Sequence, residues 1–428
     1  MAPQNLLSDI AAWRHRTYGF RGIPSICSAH PFVIEAAMRH AAKARSPLLI
    51  EATCNQVNQD GGYTGMTPAH FRRFVEQIAD RLDFPMESVI LGGDHLGPNP
   101  WKSLPADKAM DKAEEMIRAY AAAGFKKLHL DTSMGCQGEP VALPDALTAS
   151  RAARLAAAAE AAIAATDSVR PVYIIGTEVP IPGGAMEELD VLEVTLPEAA
   201  IRTVEIHAGA FKAIGADEAF SRVIGAVVQP GVEFGNHNVI AFEPEKAREL
   251  SGILERLPGL VFEAHSTDYQ TRDALRELVS QGFAILKVGP GLTFALREAL
   301  YGLDQIAAFL FRDARVATLT SVTERVMVEQ PGNWDKYYDG SAADQRLQRH
   351  YSYSDRIRYY WPQEPIANSV SELLGFLGER RVPETMISQH LRGLYPGVRA
   401  GTIIPTAHGL IVGAIDLVLQ DYFEACRA

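Results

Sequence analysis

Imidazoles, carboxylates and an amine recur in this 428-residue chain where short apolar runs end. In chain order those ends carry Ser28-Ala-His30, Glu51-Ala-Thr-Cys-Asn55-Gln56, Gly93-Asp94-His95, Asp131-Thr-Ser133, Gly176-Thr-Glu178, Gln229-Pro-Gly-Val-Glu233 with His237 beyond it, Glu263-Ala-His265-Ser-Thr-Asp268, and Lys287-Val-Gly-Pro-Gly-Leu-Thr293. Neutral imidazole and carboxylate are the ligands a catalytic Zn²⁺ takes, three from the protein with one position left for substrate. His95, Glu178, His237 and His265, with Glu233 as a substitute, are the candidate ligands. The mixed N/O set also suits Mn²⁺ or Mg²⁺. Taken singly, each is as easily a solitary loop histidine or a hydrogen-bonded core group; the agreement of several run ends argues for a site.

Asp94, directly before His95, is the candidate proton-transfer group. Adjacent residues at a strand end point different ways, so one can bind metal while the other exchanges a proton with a hydroxyl. Its bland alternatives are a helix cap or a salt bridge. Asp131 and Glu178 join it as candidate catalytic carboxylates. Gly92, Gly93 and Gly97 around it suggest close backbone approach. Asn55, Gln56 and Ser133 are candidates to hold substrate. Lys287, followed by Gly289, Gly291 and Thr293 ahead of a helix, could offer charge and amide donors to a phosphate. Lys287 could equally be a Schiff-base lysine or a core ion-pair partner, and Gly-Pro-Gly a plain turn.

These groups need a scaffold that brings run ends together. Eight candidate strands, at Gly22–Cys27, Pro47–Ala52, Val89–Gly92, Lys127–Leu130, Pro171–Ile175, Val223–Val228, Leu260–Glu263 and Phe283–Lys287, alternate with segments of helical period. Thr67 and Pro68 start a helix with Phe71, Phe74, Val75, Ile78 and Leu82 on one face. Another begins at Pro105 and stops at Gly124, a left-handed cap. Ala152–Ala165, Glu198–Ile206, Glu245–Leu257 and Arg272–Gln281 continue the ring. Eight strand–helix units predict an α/β fold of the (β/α)₈ TIM-barrel type over residues 1–310, with sites at the strands' C-terminal ends. A doubly wound open sheet is the competitor, but no G-x-G-x-x-G follows the first strand. Residues 311–428 read as a helical C-terminal extension packed on the barrel or on a partner, with an aromatic cluster at Tyr351–Trp361.

Net charge is −11, with acidic and basic residues interleaved, so no basic stripe for nucleic acid or polybasic segment for lipid is present. No stretch approaches the roughly 18 apolar residues of a membrane span. Cys27, Cys54, Cys136 and Cys426 form no CxxC pair and fit a reducing compartment. Residues 1–20 contain no signal-peptide core. The expectation is a cytoplasmic protein.

On the stretches Cys27-Ser-Ala-His-Pro31, Ile50-Glu-Ala-Thr-Cys-Asn-Gln-Val-Asn-Gln59, Gly61-Gly-Tyr-Thr-Gly-Met66, Gly92-Gly-Asp-His-Leu-Gly-Pro-Asn-Pro-Trp101, Leu130-Asp-Thr-Ser-Met134, Gly176-Thr-Glu-Val-Pro180 and Tyr351–Trp361, the chain resembles the GatZ/KbaZ family over nearly its whole length. The resemblance implies an aldolase-like barrel that works in an oligomer with a GatY/KbaY-type catalytic subunit of class II D-tagatose-1,6-bisphosphate aldolase, and a sugar-phosphate ligand. Class II aldolases carry an Asp-His pair, an Asp-x-Ser, a glutamate and two histidines after strands three to seven. Asp94-His95, Asp131-Thr-Ser133, Glu178, His237 (or Glu233) and His265 look like those parts in that order. His265-Ser-Thr-Asp-Tyr lacks the phosphate-binding glycines, so the resemblance does not extend to bisphosphate cleavage by this chain alone. Some relatives are named tagatose-6-phosphate kinase, yet neither a G-x-x-x-x-G-K-[ST] loop nor a kinase signature set occurs.

Two functions follow. One is an assisting subunit that stabilises the aldolase partner, with the aromatic cluster as interface anchors. The other is a stand-alone metal-dependent C4 epimerase of ketohexose phosphates such as tagatose 6-phosphate, working by retro-aldol cleavage and re-addition.

Overall fold

Alternating apolar runs and amphipathic segments do close on themselves. The structure, a computed structural model, describes residues 6–163, 169–177, 192–311 and 317–427. Eight parallel strands form a closed barrel: β1 (Ile23–Cys27), β2 (Leu48–Thr53), β3 (Val89–Leu96), β4 (Lys127–Leu130), β5 (Val172–Ile175), β6 (Val223–Val227), β7 (Val261–Ala264) and β8 (Phe283–Val288). β8 returns to β1 with Ile23 opposite Ile285 and Ile26 opposite Val288, which rules out the open sheet.

A helix follows each strand: α1 (Pro31–Ala44), α2 (Pro68–Arg81), α3 (Ala106–Ala122), α4 (Asp145–Ala162), α5 (Pro197–Ala213), α6 (Pro244–Gly252), α7 (Arg272–Ser280) and α8 (Pro290–Leu310). α2 starts as its sequence dictates, with the Thr67 hydroxyl accepting from the His70 amide and Pro68 in the first turn. It buries Phe71, Val75 and Ile78 against the sheet. Gly124 has a φ of +83°, the left-handed exit after α3. α4 begins at Asp145, seven residues before the expected Ala152, with Pro144 at its N-cap position and Asp145 in its first turn. The expected end of that helix, residues 164–165, lies outside the described residues.

Strand alternation layers the barrel interior. At the N-terminal end Ile23, Leu49, Ile90, Val172, Ile174, Val261 and Ile285 form an apolar floor, closed from below by Leu7, Ile10 and Trp13 of the N-terminal segment. One step higher the inward positions turn polar, with Glu51, Lys127 and Glu263 all fully buried.

Beyond α8 the chain is helical. The helix Ala407–Ala425 packs on α1, α7 and α8. The segment Arg356–Tyr359 lies over the C-terminal mouth, and this corrects one expectation. The aromatic cluster is no exposed partner anchor: Tyr360 and Trp361 are buried, and only Tyr351, 56% exposed, faces outward. Packing on this chain's own barrel buries those rings, so their apolar area is already spent.

Candidate functional site at the barrel mouth

Inward-pointing positions of five strands create a buried ionic lattice. The Lys127 ammonium sits 2.7 Å from Glu51 Oε1 and 2.7 Å from Glu263 Oε2. Lys287 Nζ lies 2.7 Å from Glu51 Oε2, 2.8 Å from Asp94 Oδ1 and 3.8 Å from Glu263 Oε1. Burial of this depth disfavours every charged form, and only the mutual attraction offsets it. Burial would raise the Glu263 and Asp94 carboxyls, but Lys127 and Lys287 outweigh it for Glu263, and His95 and Lys287 for Asp94; both are held well below the usual range. Both are therefore ionised at neutral pH. Gly92 makes this lattice possible, since a Cβ there would stand 2.7 Å from Glu51 Cγ.

Above the lattice three imidazoles form a triangle. Ring centroids are 5.1 Å apart for His95 and His129, 4.9 Å for His95 and His265, and 5.1 Å for His129 and His265. His95 has a φ of +50° at an irregularity in the β3–β4 register, as does Ser266 (φ +53°) after β7. Left-handed backbone at non-glycine residues costs on the order of 1–3 kcal/mol each and gathers at functional sites. His95 Nδ1 is 2.8 Å from Asp131 Oδ2. Burial would raise Asp131 too, but the hydrogen bond and charge of His95 win and hold it at about 2. Asp94 and Asp131 in turn raise His95 against its burial. His265 is the opposite case: burial drops it to about 3, so it is a neutral imidazole despite Glu263 Oε1 at 3.0 Å from its Nε2.

Asp94, His129, Glu263 and His265 each present a ligand atom, all within 4.8 Å of one another. His129 Nδ1 lies 3.0 Å from Asp94 Oδ1 and 3.2 Å from the His95 amide. The His95 amide donates to this nitrogen, and the Asp94 carboxylate lies beside it. The other ring nitrogen, His129 Nε2, is buried with no protein partner among the described residues. Two imidazoles and two carboxylates packed this closely are the mixed N/O donor chemistry a divalent cation takes.

The structure brings together some of the residues expected from sequence and separates others. Asp94, His95, Asp131, His265 and Lys287 meet at the mouth. His129 and Glu263 complete the close-packed set where His95 and His237 were expected; His95 instead spends Nδ1 on Asp131. His237 is exposed at the tip of a hairpin formed by Glu233–Phe234 and Val239–Ile240, where it neighbours Asp344. Its neighbour Asn236 donates to the Tyr337 carbonyl, so the hairpin docks the C-terminal segment. Glu233 is buried in the same hairpin, and desolvation pushes its carboxyl up to about 7. Glu178 lies outside the described residues. Ser133 donates to Asp131 Oδ1 at 2.9 Å, and Gln56 braces Thr53 and Cys27, so both position neighbours. The expected phosphate donors are occupied: the Gly289 and Gly291 amides donate to Asp268 Oδ1 at 3.0 and 2.7 Å, and Thr293 donates to Asp355 Oδ2 at 2.5 Å. Asp268 fills the anion site at the start of α8 from within the chain.

A pocket of about 620 Å³ opens over this floor, with Asp94, His95, His265 and Lys287 below, Asn55 and Tyr63 at one side, and Arg358 and Tyr359 above. A second compartment of about 980 Å³, shared at Tyr63 and Arg358, continues toward His30, Met66 and Trp361. Sequence reading missed His129, Glu263, Asp268 and Arg358 as members of the site. For His129 and Glu263 a signal existed: Lys127, His129 and Asp131, like Glu51 and Thr53 or Glu263 and His265, are polar at every second position of otherwise apolar strands, which places them on one face.

The match of the whole chain to known proteins agrees with this geometry. The model of the D-tagatose-1,6-bisphosphate aldolase subunit GatZ/KbaZ-like family matches residues 7–427. A crystal structure described as a probable tagatose 6 phosphate kinase from Sinorhizobium meliloti 1021 is 67% identical, with a TM-score of 0.89 over 95% of this chain and 100% of that one. Two aldolase structures are distantly similar. The YdjI aldolase from Escherichia coli K12 has 12% identity and a TM-score of 0.43 over 88% and 97% of the two chains. Fructose-bisphosphate aldolase from Campylobacter jejuni has 14% identity and 0.44 over 88% and 95%. By the extent of the family match, together with this close relative, the chain belongs to the GatZ/KbaZ-like family of D-tagatose-1,6-bisphosphate aldolase subunits.

Proposed function

We propose that this chain is itself an enzyme, a metal-dependent C4 epimerase that interconverts tagatose 6-phosphate and fructose 6-phosphate. One observation carries the reading: an ionised carboxylate, Asp94, stands beside a buried cation-ligand set at the floor of a pocket that the chain roofs with its own C-terminal segment. A subunit acting only through an interface has no use for such an enclosure.

His129, Glu263 and His265 would hold a divalent ion, Zn²⁺ or equally Mn²⁺ or Mg²⁺, which supplies Lewis-acid polarisation of substrate oxygens worth several kcal/mol. Asp94 spends Oδ1 on Lys287 and His129, while Oδ2 has only His95 Nε2 at 3.8 Å. That oxygen takes the O4 proton as the C3–C4 bond breaks. The bonding pair passes toward the C2 carbonyl, leaving an enediolate over C2 and C3 and an aldehyde at C4. The aldehyde rotates, the C3–C4 bond re-forms on its other face, and Asp94 returns the proton to O4 with C4 inverted. Lys287 keeps Asp94 anionic before the transfer and stays beside it as the charge moves.

Family membership supports a second reading, the assisting subunit of a GatY/KbaY-type aldolase. The kinase in the Sinorhizobium protein's description finds no support in this chain's motifs, since no phosphate-binding G-x-x-x-x-G-K-[ST] loop is present. The test is to incubate the purified chain with Zn²⁺, Mn²⁺ or Mg²⁺ and follow fructose 6-phosphate and tagatose 6-phosphate. Interconversion is expected, reduced at least about 10³-fold by Asp94→Asn and His265→Ala. No turnover with any ion, combined with thermal stabilisation of a GatY/KbaY-type aldolase on mixing, would replace this reading with the subunit.

A further inference from the structure

A single guanidinium, that of Arg358, lines both compartments of the mouth. Its Nη1 donates to the Ser354 and Asp355 carbonyls, the latter at 3.0 Å, and its Nη2 donates to the Tyr359 hydroxyl at 3.1 Å. None of these partners is a carboxylate. Two of the five guanidinium N–H groups, on Nε and Nη2, have no acceptor among the described residues. Asp355 and Asp268 act on this guanidinium through space, but neither accepts a hydrogen bond from it, so its two spare N–H groups remain open to an anion.

The segment is built to hold that cation in place. Asp355, at φ +45°, accepts from Thr293 at 2.5 Å and lies 3.6 Å from the Arg297 Nε. The Arg356 amide donates to the Tyr338 hydroxyl, and Tyr269 donates to the Tyr353 carbonyl at 2.6 Å. Meanwhile the helix start where a barrel commonly binds phosphate is filled by Asp268. The floor repels anions as well, since Glu51, Asp94 and Glu263 outnumber Lys127 and Lys287 there by three charges to two.

Resting on the reading of this pocket as a sugar-phosphate site, we propose that Arg358 of the C-terminal segment is its phosphate-recognition residue. It grips the phosphate of a monophosphorylated ketose at the roof, so that the carbon chain reaches down to Asp94. Specificity for phosphorylated over free sugars then comes from the C-terminal extension.

The experiment is calorimetric titration of fructose 6-phosphate, fructose and inorganic phosphate into the full chain, wild type, Arg358→Gln and Arg358→Lys, at equal metal loading. Charge-assisted bonds of this kind are worth about 1.5–3 kcal/mol, so the Gln variant is expected to bind fructose 6-phosphate roughly 10–150-fold more weakly, with Lys between. Fructose binding stays unchanged. Equal fructose 6-phosphate affinity in wild type and Arg358→Gln, or an equal loss for fructose, overturns the inference. Arg358-dependent phosphate binding in a chain without epimerase activity upholds it while removing the activity proposed above. Should the Gln variant lose its thermal transition, arginine labelling of the wild type with phenylglyoxal decides. Protection of Arg358 by fructose 6-phosphate but not by fructose is expected, and equal labelling refutes.

Discussion

Replacing Lys127 with Met removes one charge from the barrel interior while keeping a side chain of similar length. Lys127, Glu51 and Glu263 are all fully buried, and the ammonium bridges the two carboxylates at 2.7 Å each. Without it, Glu51, Asp94 and Glu263 face Lys287 alone, and the local charge moves from −1 (three carboxylates, two ammoniums) to −2. Removing one partner of a buried ion pair costs about 3–5 kcal/mol. Lys287 still lies 2.7 Å from Glu51 but 3.8 Å from Glu263, so Glu263 is the group left short. With roughly 2.1 cal/mol/K of unfolding entropy per residue over 428 residues, about 0.9 kcal/mol/K in all, the expected fall in Tm is about 3–5 °C. The loss also carries a pH signature. Lys127 now holds Glu263 well below the ordinary glutamate value. Once the lysine is gone, burial drives that carboxyl above its unfolded value. A folded-state pKa raised in this way gives stability that is present at low pH and lost as pH rises. The deficit of the variant should therefore narrow as pH falls from 8 to 5. Scanning calorimetry at both pH values measures this. A Tm within 1 °C of wild type at both would show that the lattice does not carry the electrostatic load argued for it.

Two further perturbations probe the surroundings of the site. A Cβ on Gly97 would lie 1.6 Å from the Asp131 main-chain oxygen, an atom that cannot swing aside. Gly97→Ala should cost at least about 3 kcal/mol by overpacking and move Asp131 away from His95, and a urea midpoint like that of wild type would contradict it. Glu233, pushed by burial from 4.5 to about 7, contributes stability below pH 4.5 that is lost as pH rises through 7. The 2.5-unit difference corresponds to about 3 kcal/mol, so Glu233→Gln should gain roughly that much relative to wild type between pH 5 and pH 8. A pH-independent difference between the two unfolding curves would refute it.

The barrel was legible because its signals are local. Each strand is a short apolar run, each helix a face of period 3.6, and Thr67, Pro68 and Gly124 mark ends whose geometry follows from their own chemistry. Asp94, His95, Asp131, His265 and Lys287 were legible for the same reason, since topology alone gathers strand ends around one axis. His237 misled because it follows β6 in sequence, yet the hairpin Glu233–Phe234 and Val239–Ile240 carries it outward to the docked C-terminal segment. Hairpin formation there depends on pairing across a loop, which no strand-end rule anticipates. Gly289, Gly291 and Thr293 were expected to bind a substrate phosphate, and their donors are taken up within the chain instead. What could not be seen was that Asp268 and Asp355, distant in sequence by twenty to sixty residues, are the anions they bind.

Those two internal anions explain the architecture of the whole mouth. Once Asp268 occupies the start of α8, that helix start has no vacant anion site, and the floor beneath carries an excess negative charge. The floor, where His129 Nε2 is buried without a partner among the described residues, favours a cation, and the roof, lined by Arg358, favours an anion. Asp355 secures that roof by tying the turn that bears Arg358 to Thr293 and Arg297 of α8. Asp355 therefore both occupies the Thr293 hydroxyl and holds in place the turn that carries Arg358. On the proposed reading, a phosphorylated sugar lies in this field with its phosphate upward and its reacting carbons toward Asp94, the orientation that proton transfer at O4 would require.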